Sequence, residues 1–311
     1  MKIGLGLPQL GHFANVEALV DVAVTAEAAG FDSLWAIDRL LAPVDPLTPY
    51  PASTDGALPP EQRCVLDPFV ALATAAAHTS RIALGTSVLI APLHPPVMLA
   101  RSAASLDRLS RGRFTLGLGI GWSADEYAAV GVPQRGVGAR LDEVLDVLDA
   151  AWGQETVAVT TSHEHVAASW IDLKPIGGRV PLVLAAYTPA GLDRIARRAD
   201  GWTPAGIPVE AAVPMFAGIR QAAESYGRDP SQLRLVVRAN VKLTPSPLGD
   251  GRMEFTGSPV QVRDDVLRAR DAGVDEVLVD LQGTTSSVDH LLDTTAFLAS
   301  VPVDAPVLAG V

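Results

Sequence analysis

The chain has 311 residues, 48% of them hydrophobic, and 24 Lys and Arg stand against 35 Asp and Glu for a formal net charge of −11. That balance excludes a broad basic face for nucleic acid or anionic lipid, and no apolar run approaches the roughly 18 residues of a membrane span. A lone cysteine, Cys64, excludes an internal disulfide or a multi-cysteine zinc site and points to a reducing, cytoplasmic setting.

Residues 2–8 read as a first strand ended by Pro8-Gln9, with no signal-peptide pattern ahead of it. Asn15 can cap a helix whose Leu19, Val22, Ala23, Ala26 and Ala29 recur at helical spacing, and Gly30 supplies its stop. Residues 33–37 form a second strand that runs into Asp38-Arg39. From 40 to 63 the chain is rich in Pro, Asp, Thr and Gly without periodicity, which predicts an inserted loop of the lid or binding kind. Asp67-Pro68 opens a helix that runs through His78.

Residues 82–96 read I-A-L-G-T-S-V-L-I-A-P-L-H-P-P. The stretch is a buried strand that turns polar at Thr86-Ser87 and stops at its prolines, which suit a first helical turn and not a ladder. A strand that turns polar as it ends is where a parallel α/β fold puts its chemistry. Residues 96–110 follow as a helix closed by Gly112, residues 113–118 as a fourth strand, and residues 138–152 as the next helix.

The alternation breaks at 155–174, where Val157, Val159 and Thr161 alternate and 166–173 can return beside them, so an inserted hairpin is expected. Strand and helix then resume at 180–186 and 190–198, at 201–203 and 210–226, at 233–243 and 259–272, and at 276–281 and 288–299. Eight strand–helix units of roughly 39 residues predict a single (β/α)8 TIM barrel domain over 1–311.

Gly117-x-Gly119-x-Gly121 imitates a dinucleotide fingerprint, but Trp122 fills the position that needs a small residue. At a barrel rim the same glycines would bring backbone close to a flat ligand. Asp38 can accept a hydrogen bond from a ring N–H or a substrate hydroxyl, or pair with Arg39. His94, among prolines, is a proton donor or a turn histidine. Ala185-Ala186-Tyr187-Thr188 ends a strand at a helix start, whose backbone N–H groups suit a phosphate. Arg140 has the acidic stretch 142–149 as its expected partner. His163 and His165 share a hairpin face without a third ligand, so no metal is expected. The signatures of zinc peptidases, serine hydrolases and P-loop proteins are missing.

Residues 84–89 (L-G-T-S-V-L) with Pro95, residues 106–113 (L-D-R-L-S-R-G-R) running into 116–122, residues 26–35 (A-E-A-A-G-F-D-S-L-W) and residues 199–202 (A-D-G-W) occur in this order. Together they resemble the bacterial luciferase-like flavin and deazaflavin oxidoreductases over nearly the whole chain. The resemblance implies coenzyme F420 or FMN at the C-terminal rim, with a non-proline cis peptide at Ser87–Val88 behind the ring. It implies that Gly85, Thr86, Ser87, Val88, Gly119, Gly121 and Trp122 form the ring's surroundings, and that Ala185, Ala186, Tyr187 and Thr188 face the phosphate end. Asp38 would approach cofactor or substrate, with Arg39 and His94 as further catalytic candidates and the 40–63 loop as a cover.

Arg39 stands where the family's sugar-phosphate dehydrogenases carry His, Trp122 where they carry Glu, and Ala185-Ala186 where Gly-Gly is usual. The expected function is F420-dependent hydride transfer with a small organic substrate. The alternatives are an FMN-dependent monooxygenase and a non-catalytic F420- or flavin-binding barrel. The partners to expect are a small-molecule substrate, a flavin or F420 reductase and a second copy in a homodimer, with no nucleic acid and no membrane.

Overall fold

The computed structural model describes residues 1–301. Among these, eight parallel strands form the barrel wall: β1 (Lys2–Gly6), β2 (Ser33–Ala36), β3 (Ala83–Thr86), β4 (Phe114–Gly119), β5 (Leu182–Leu184), β6 (Gly201–Trp202), β7 (Arg234–Asn240) and β8 (Glu276–Asp280). The hydrogen-bonded order runs from β3 through β2, β1, β8, β7, β6 and β5 to β4. Pairing of Leu84 with Phe114 and of Gly85 with Thr115 then joins β3 to β4 and closes the barrel. The expected (β/α)8 architecture is the observed one.

The helices around the wall are α1 (Val16–Ala29), α2 (Pro68–His78), α3 (Pro96–Leu109), α4 (Ala124–Ala129), α5 (Val137–Gly153), α6 (Pro189–Arg198), α7 (Val209–Ser225), α8 (Pro259–Asp271) and α9 (Val288–Ala299). Their starts follow local chemistry. The Asn15 side chain accepts from Ala18 N at 2.9 Å, and Gly30 ends α1 in the left-handed conformation, φ 90°. No helix among the described residues is long and apolar enough to cross a membrane.

Two packing layers result. Outward-facing residues such as Leu5, Leu34, Leu84, Leu116 and Leu184 pack under the helices, while Trp35, Val183, Val236 and Leu278 fill the barrel's centre. Gly85 is glycine because a Cβ there would overlap the Trp35 indole. At the N-terminal floor, buried Glu276 accepts from Ser33 Oγ and from Trp35 Nε1 (2.8 Å), and Arg234 Nη2 donates to Thr115 Oγ1 at 2.9 Å.

Three local expectations change. The third strand is interrupted: β3 stops at Thr86, and Leu89–Ile90 resumes beside Leu118 and Gly119. A short helix, α4, follows the Gly117–Gly121 run, in a stretch for which no element was expected. Arg140 lies 3.7 Å from Glu164 of the hairpin, whereas Arg194 and Arg198 occupy the acidic stretch through Asp142, Asp146 and Asp149. These two arginines project from α6 across to α5, so they and not Arg140 face the acids. The hairpin itself forms from Thr156–Thr160 and His165–Trp170. There His163 Nδ1 is taken by Glu143 at 3.0 Å and His165 Nδ1 by Thr160 Oγ1 at 3.1 Å.

Candidate active site at the barrel mouth

Asp38 leaves the end of β2 and turns toward the interrupted third strand. Its Oδ2 accepts from the backbone N–H of Ile90 at 2.9 Å and lies 3.0 Å from His94 Nε2. The imidazole reaches this position because Ala91–Leu93 forms a 3-10 turn, with Pro92 inside it and His94 N bonded to Ala91 O at 3.1 Å. The alternative pairing of Asp38 with Arg39 does not form; Asp38 meets His94 instead. A carboxylate that holds one imidazole nitrogen in this way fixes the ring and leaves the other nitrogen able to take up or give a proton.

The Ser87–Val88 peptide is cis. Ser87 N donates to Ala36 O at 2.7 Å, and Ser87 O accepts from Arg238 Nη1 at 2.6 Å. Thr86 is fully buried, and its hydroxyl donates to Gly117 O (2.7 Å) and accepts from Gly117 N (2.8 Å). Its one donor hydrogen is therefore spent on the wall of the barrel.

The glycine run also serves the wall first. A Cβ on Gly117 would overlap the Thr86 carbonyl, one on Gly119 would sit 2.6 Å from Val88 Cγ2, and one on Gly121 (φ 63°) 2.8 Å from Ile90 Cγ2. Absent side chains on β4 thus admit the irregular strand beside it. The expected closeness of backbone to a flat ligand is, in the observed contacts, closeness to residues 86–90.

Arg39 turns away from Asp38. Its Nη1 donates to Glu126 Oε2 at 2.9 Å, its guanidinium lies 4.9 Å from the Trp122 ring centroid, and Trp122 in turn meets Tyr50 at 5.4 Å. The Arg39 side chain is only 7% exposed, and its Nε has no partner. Burial pushes the Glu126 carboxyl above the usual range, against the opposing pull of Arg39 and the backbone N–H groups of Leu40 and Leu41. Leu40 N donates to Glu126 Oε1 (2.7 Å), Leu47 N to Asp125 Oδ2 (3.1 Å), and Ala124 N to Thr48 Oγ1 (3.3 Å). The 40–63 loop is thereby anchored on α4. Ser123-x-x-Glu126 is a capping-box pattern, the signal that could have revealed this helix.

Residues 185–188 occupy another sector of the rim. Ala185 N donates to Leu118 O (2.9 Å), and Ala186 O accepts from Trp202 Nε1 (2.9 Å). The Tyr187 hydroxyl accepts from Ala205 N and donates to Ala205 O, at 2.9 and 3.0 Å. Burial raises the Tyr187 pKa. Thr188 accepts from Gly191 N at 3.2 Å as the cap of α6, whose exposed first turn holds no acid.

Several rim residues escaped the sequence reading: Gln9, Glu126, Thr203, Arg238, Asp280 and Gln282. Arg238 was visible in principle, because Arg234, Val236, Arg238 and Asn240 share one face of an otherwise apolar strand. Thr203 stands apart because its buried hydroxyl has no partner. A Cβ on Gly201 would point at Val183 and Arg234 inside the barrel, and strand alternation puts Thr203 on that same inward side.

Residues 4–247 match the family model described as luciferase-like monooxygenase. An uncharacterised protein of Mycobacterium tuberculosis is 37% identical over 227 residues, which cover 72% of this chain and 79% of the relative. A protein of Kineococcus radiotolerans named as an F420-dependent glucose-6-phosphate dehydrogenase is 30% identical over 251 residues, 77% of this chain and 69% of the relative. The crystal structure of a monooxygenase from Streptomyces bottropensis superposes with a TM-score of 0.78 at 20% identity, covering 98% of this chain and 99% of the other.

Proposed function

This chain belongs to the luciferase-like monooxygenase family, and on that premise we propose that it is a cytoplasmic oxidoreductase moving a hydride between coenzyme F420 and a small organic alcohol or carbonyl compound. The observation that carries this reading is the pair of Asp38 and His94 at the barrel mouth, bonded to the strand that resumes just past Val88. Interconverting an alcohol and a carbonyl compound requires a proton to move with the hydride. Asp38 holds Nε2 of His94 and so fixes the ring, and the imidazole's other nitrogen, Nδ1, would give or take that proton.

When bound, the deazaflavin supplies the hydride-carrying centre. The residues at the mouth fit such a group. Ser87 and Val88 would support the ring, and the inward hydroxyl of Thr203, buried without a protein partner, suits a polar ring edge. Residues 185–188, at the open start of α6, would receive a phosphate. The 40–63 loop, tied to α4, limits the entry of water. Arg39 is committed to Glu126 and Trp122, which argues for a substrate other than the sugar phosphate named for the Kineococcus relative.

An FMN-dependent monooxygenase, fed reduced flavin by a reductase, is the second reading, favoured by the family model's own description. Titration with F420 and with FMN, followed by fluorescence and paired with an oxygen electrode, separates the two. The expected result is tighter F420 binding and alcohol- or carbonyl-dependent turnover without oxygen uptake. FMN preference with oxygen uptake would transfer the assignment to the second reading. Ring binding with no turnover of any donor or acceptor would leave a non-catalytic binding barrel.

A further inference from the structure

Arg238 bonds through its side chain to three different residues at the barrel mouth. Its Nη1 donates to Ser87 O on the interrupted third strand (2.6 Å), its Nε to Asn240 Oδ1 on its own strand β7 (2.9 Å), and its Nη2 to Asp280 Oδ2 on β8. Asp280 Oδ1 in turn accepts from the backbone N and the side-chain Nε2 of Gln282, both at 3.2 Å. Gln282 Oε1 accepts from Gln9 N (2.7 Å) and Leu10 N (3.1 Å), beyond the end of β1. The Gln9 amide then clasps Ile37, accepting from its N at 2.6 Å and donating to its O at 2.9 Å.

Ile37 immediately precedes Asp38, and Asp38 returns to the third strand through Ile90 N. The links therefore close a ring around the mouth, from the third strand through β7, β8, β1 and β2 and back. Gly6 leaves room for one member, since a Cβ there would lie 2.9 Å from Asp280 Oδ1.

We infer that Arg238 is a positioning residue for the cofactor ring: it fixes the Ser87 carbonyl, and through the polar ring it sets that carbonyl and the Asp38 carboxylate in one register. The inference rests on the reading that the cofactor lies against Ser87 and Val88. Arginine is required because three acceptors on different segments are met by one planar fork of N–H donors; the compact ammonium of lysine cannot reproduce that fork. Arg238 does not touch the reacting atoms in this account. Its effect passes through the Ser87 carbonyl.

The test uses the full chain with Arg238→Met, Arg238→Lys and, as a mild probe on an exposed side chain, Asn240→Ala. F420 and FMN are the probes, and the readouts are dissociation constant, circular dichroism of the bound ring, and thermal unfolding. Arg238→Met is expected to weaken ring binding about tenfold, the loss typical of one charge-assisted hydrogen bond, and to change the bound ring's dichroism. Arg238→Lys should recover part of the affinity but not the wild-type spectrum, and KM for the organic substrate should hold while kcat falls. Asn240→Ala should shift the spectrum in the same sense by a smaller amount, which keeps the test decisive if either Arg238 variant fails to fold.

Folded variants that bind the ring with wild-type affinity and spectrum would overturn the inference alone. Wild-type protein that binds neither F420 nor FMN would overturn the parent reading and the inference together.

Discussion

At the floor of the barrel, Glu276 is buried against Ser33 and Trp35, and Arg234 beside it is bonded to Thr115; no atom of these five side chains is among the buried ones left without a partner. At the mouth, Thr203 Oγ1 and Arg39 Nε are buried and unpaired. An unsatisfied buried polar group costs about 1–3 kcal/mol; Arg220 Nε of α7, beside Leu233 and Asp275 at the floor end, is another, so the difference holds for these five floor side chains against Thr203 and Arg39. The floor turns polar groups into stability. The mouth keeps some of them available, which is the division expected of the two faces of this fold.

The largest expected effect tests the mouth. Asp38→Asn should lower kcat/KM by about 10²–10⁴, the range for loss of acid–base assistance, while the midpoint of thermal unfolding stays within a few degrees of wild type. A rate near wild type, or a large loss of stability instead, would erase the distinction. The floor should respond in the opposite way. Glu276→Ala leaves Ser33 and Trp35 without their shared acceptor, so urea unfolding should report a loss of about 3 kcal/mol, with the affinity of the folded fraction for the ring unchanged.

Thr203→Val sharpens the comparison within a single residue. Removing an orphaned hydroxyl should leave stability unchanged or raise it by about 1 kcal/mol, while ring affinity falls about fivefold. A parallel fall of both quantities would place Thr203 with the floor residues.

The smallest effects concern pH, and the two ends differ in sign. Glu27, beside the start of β3, feels burial that raises its pKa, but the backbone N–H groups of Ile82, Arg81 and Ser80 outweigh it and hold the carboxyl at about 2. A lowered folded-state pKa means stability that is present above the unfolded value of 4.5 and is lost as pH falls toward 2. Glu126 at the mouth is raised by burial, so its contribution is present below its unfolded value of 4.5 and is lost as pH rises through the raised value. Unfolding measured across pH should therefore show Glu27→Gln flattening the acid limb and Glu126→Gln removing a decline at higher pH.

Much of the architecture was legible because it is local. Alternation of strand and helix patterns marked eight units, the polar turn at Thr86-Ser87 marked the rim, and Asn15 and Gly30 marked the ends of α1. What escaped depends on pairings that no local period encodes. Ser87 O and Arg238 are 151 residues apart, and Gln9 and Gln282 are 273 apart. Only barrel closure brings such residues together. The Gly117–Gly121 run shows the complementary limit: its spacing advertised a close approach, but not that the approaching atoms belong to Thr86, Val88 and Ile90. Helix α4 was missed because six residues are too few for a periodic signal, although its Ser123-x-x-Glu126 pattern was in plain view.

The central claim is that a planar redox cofactor lies at this mouth, between the Ser87–Val88 segment and the pair of Asp38 and His94. A crystal structure of the protein with bound F420, solved alongside an FMN soak, tests it most directly. The account predicts the F420 ring against Ser87 and Val88, with its open face turned toward Asp38 and His94 and its phosphate near residues 185–188. A ring bound elsewhere on the molecule, or at the mouth but with the Asp38 and His94 pair remote from its open face, would contradict it.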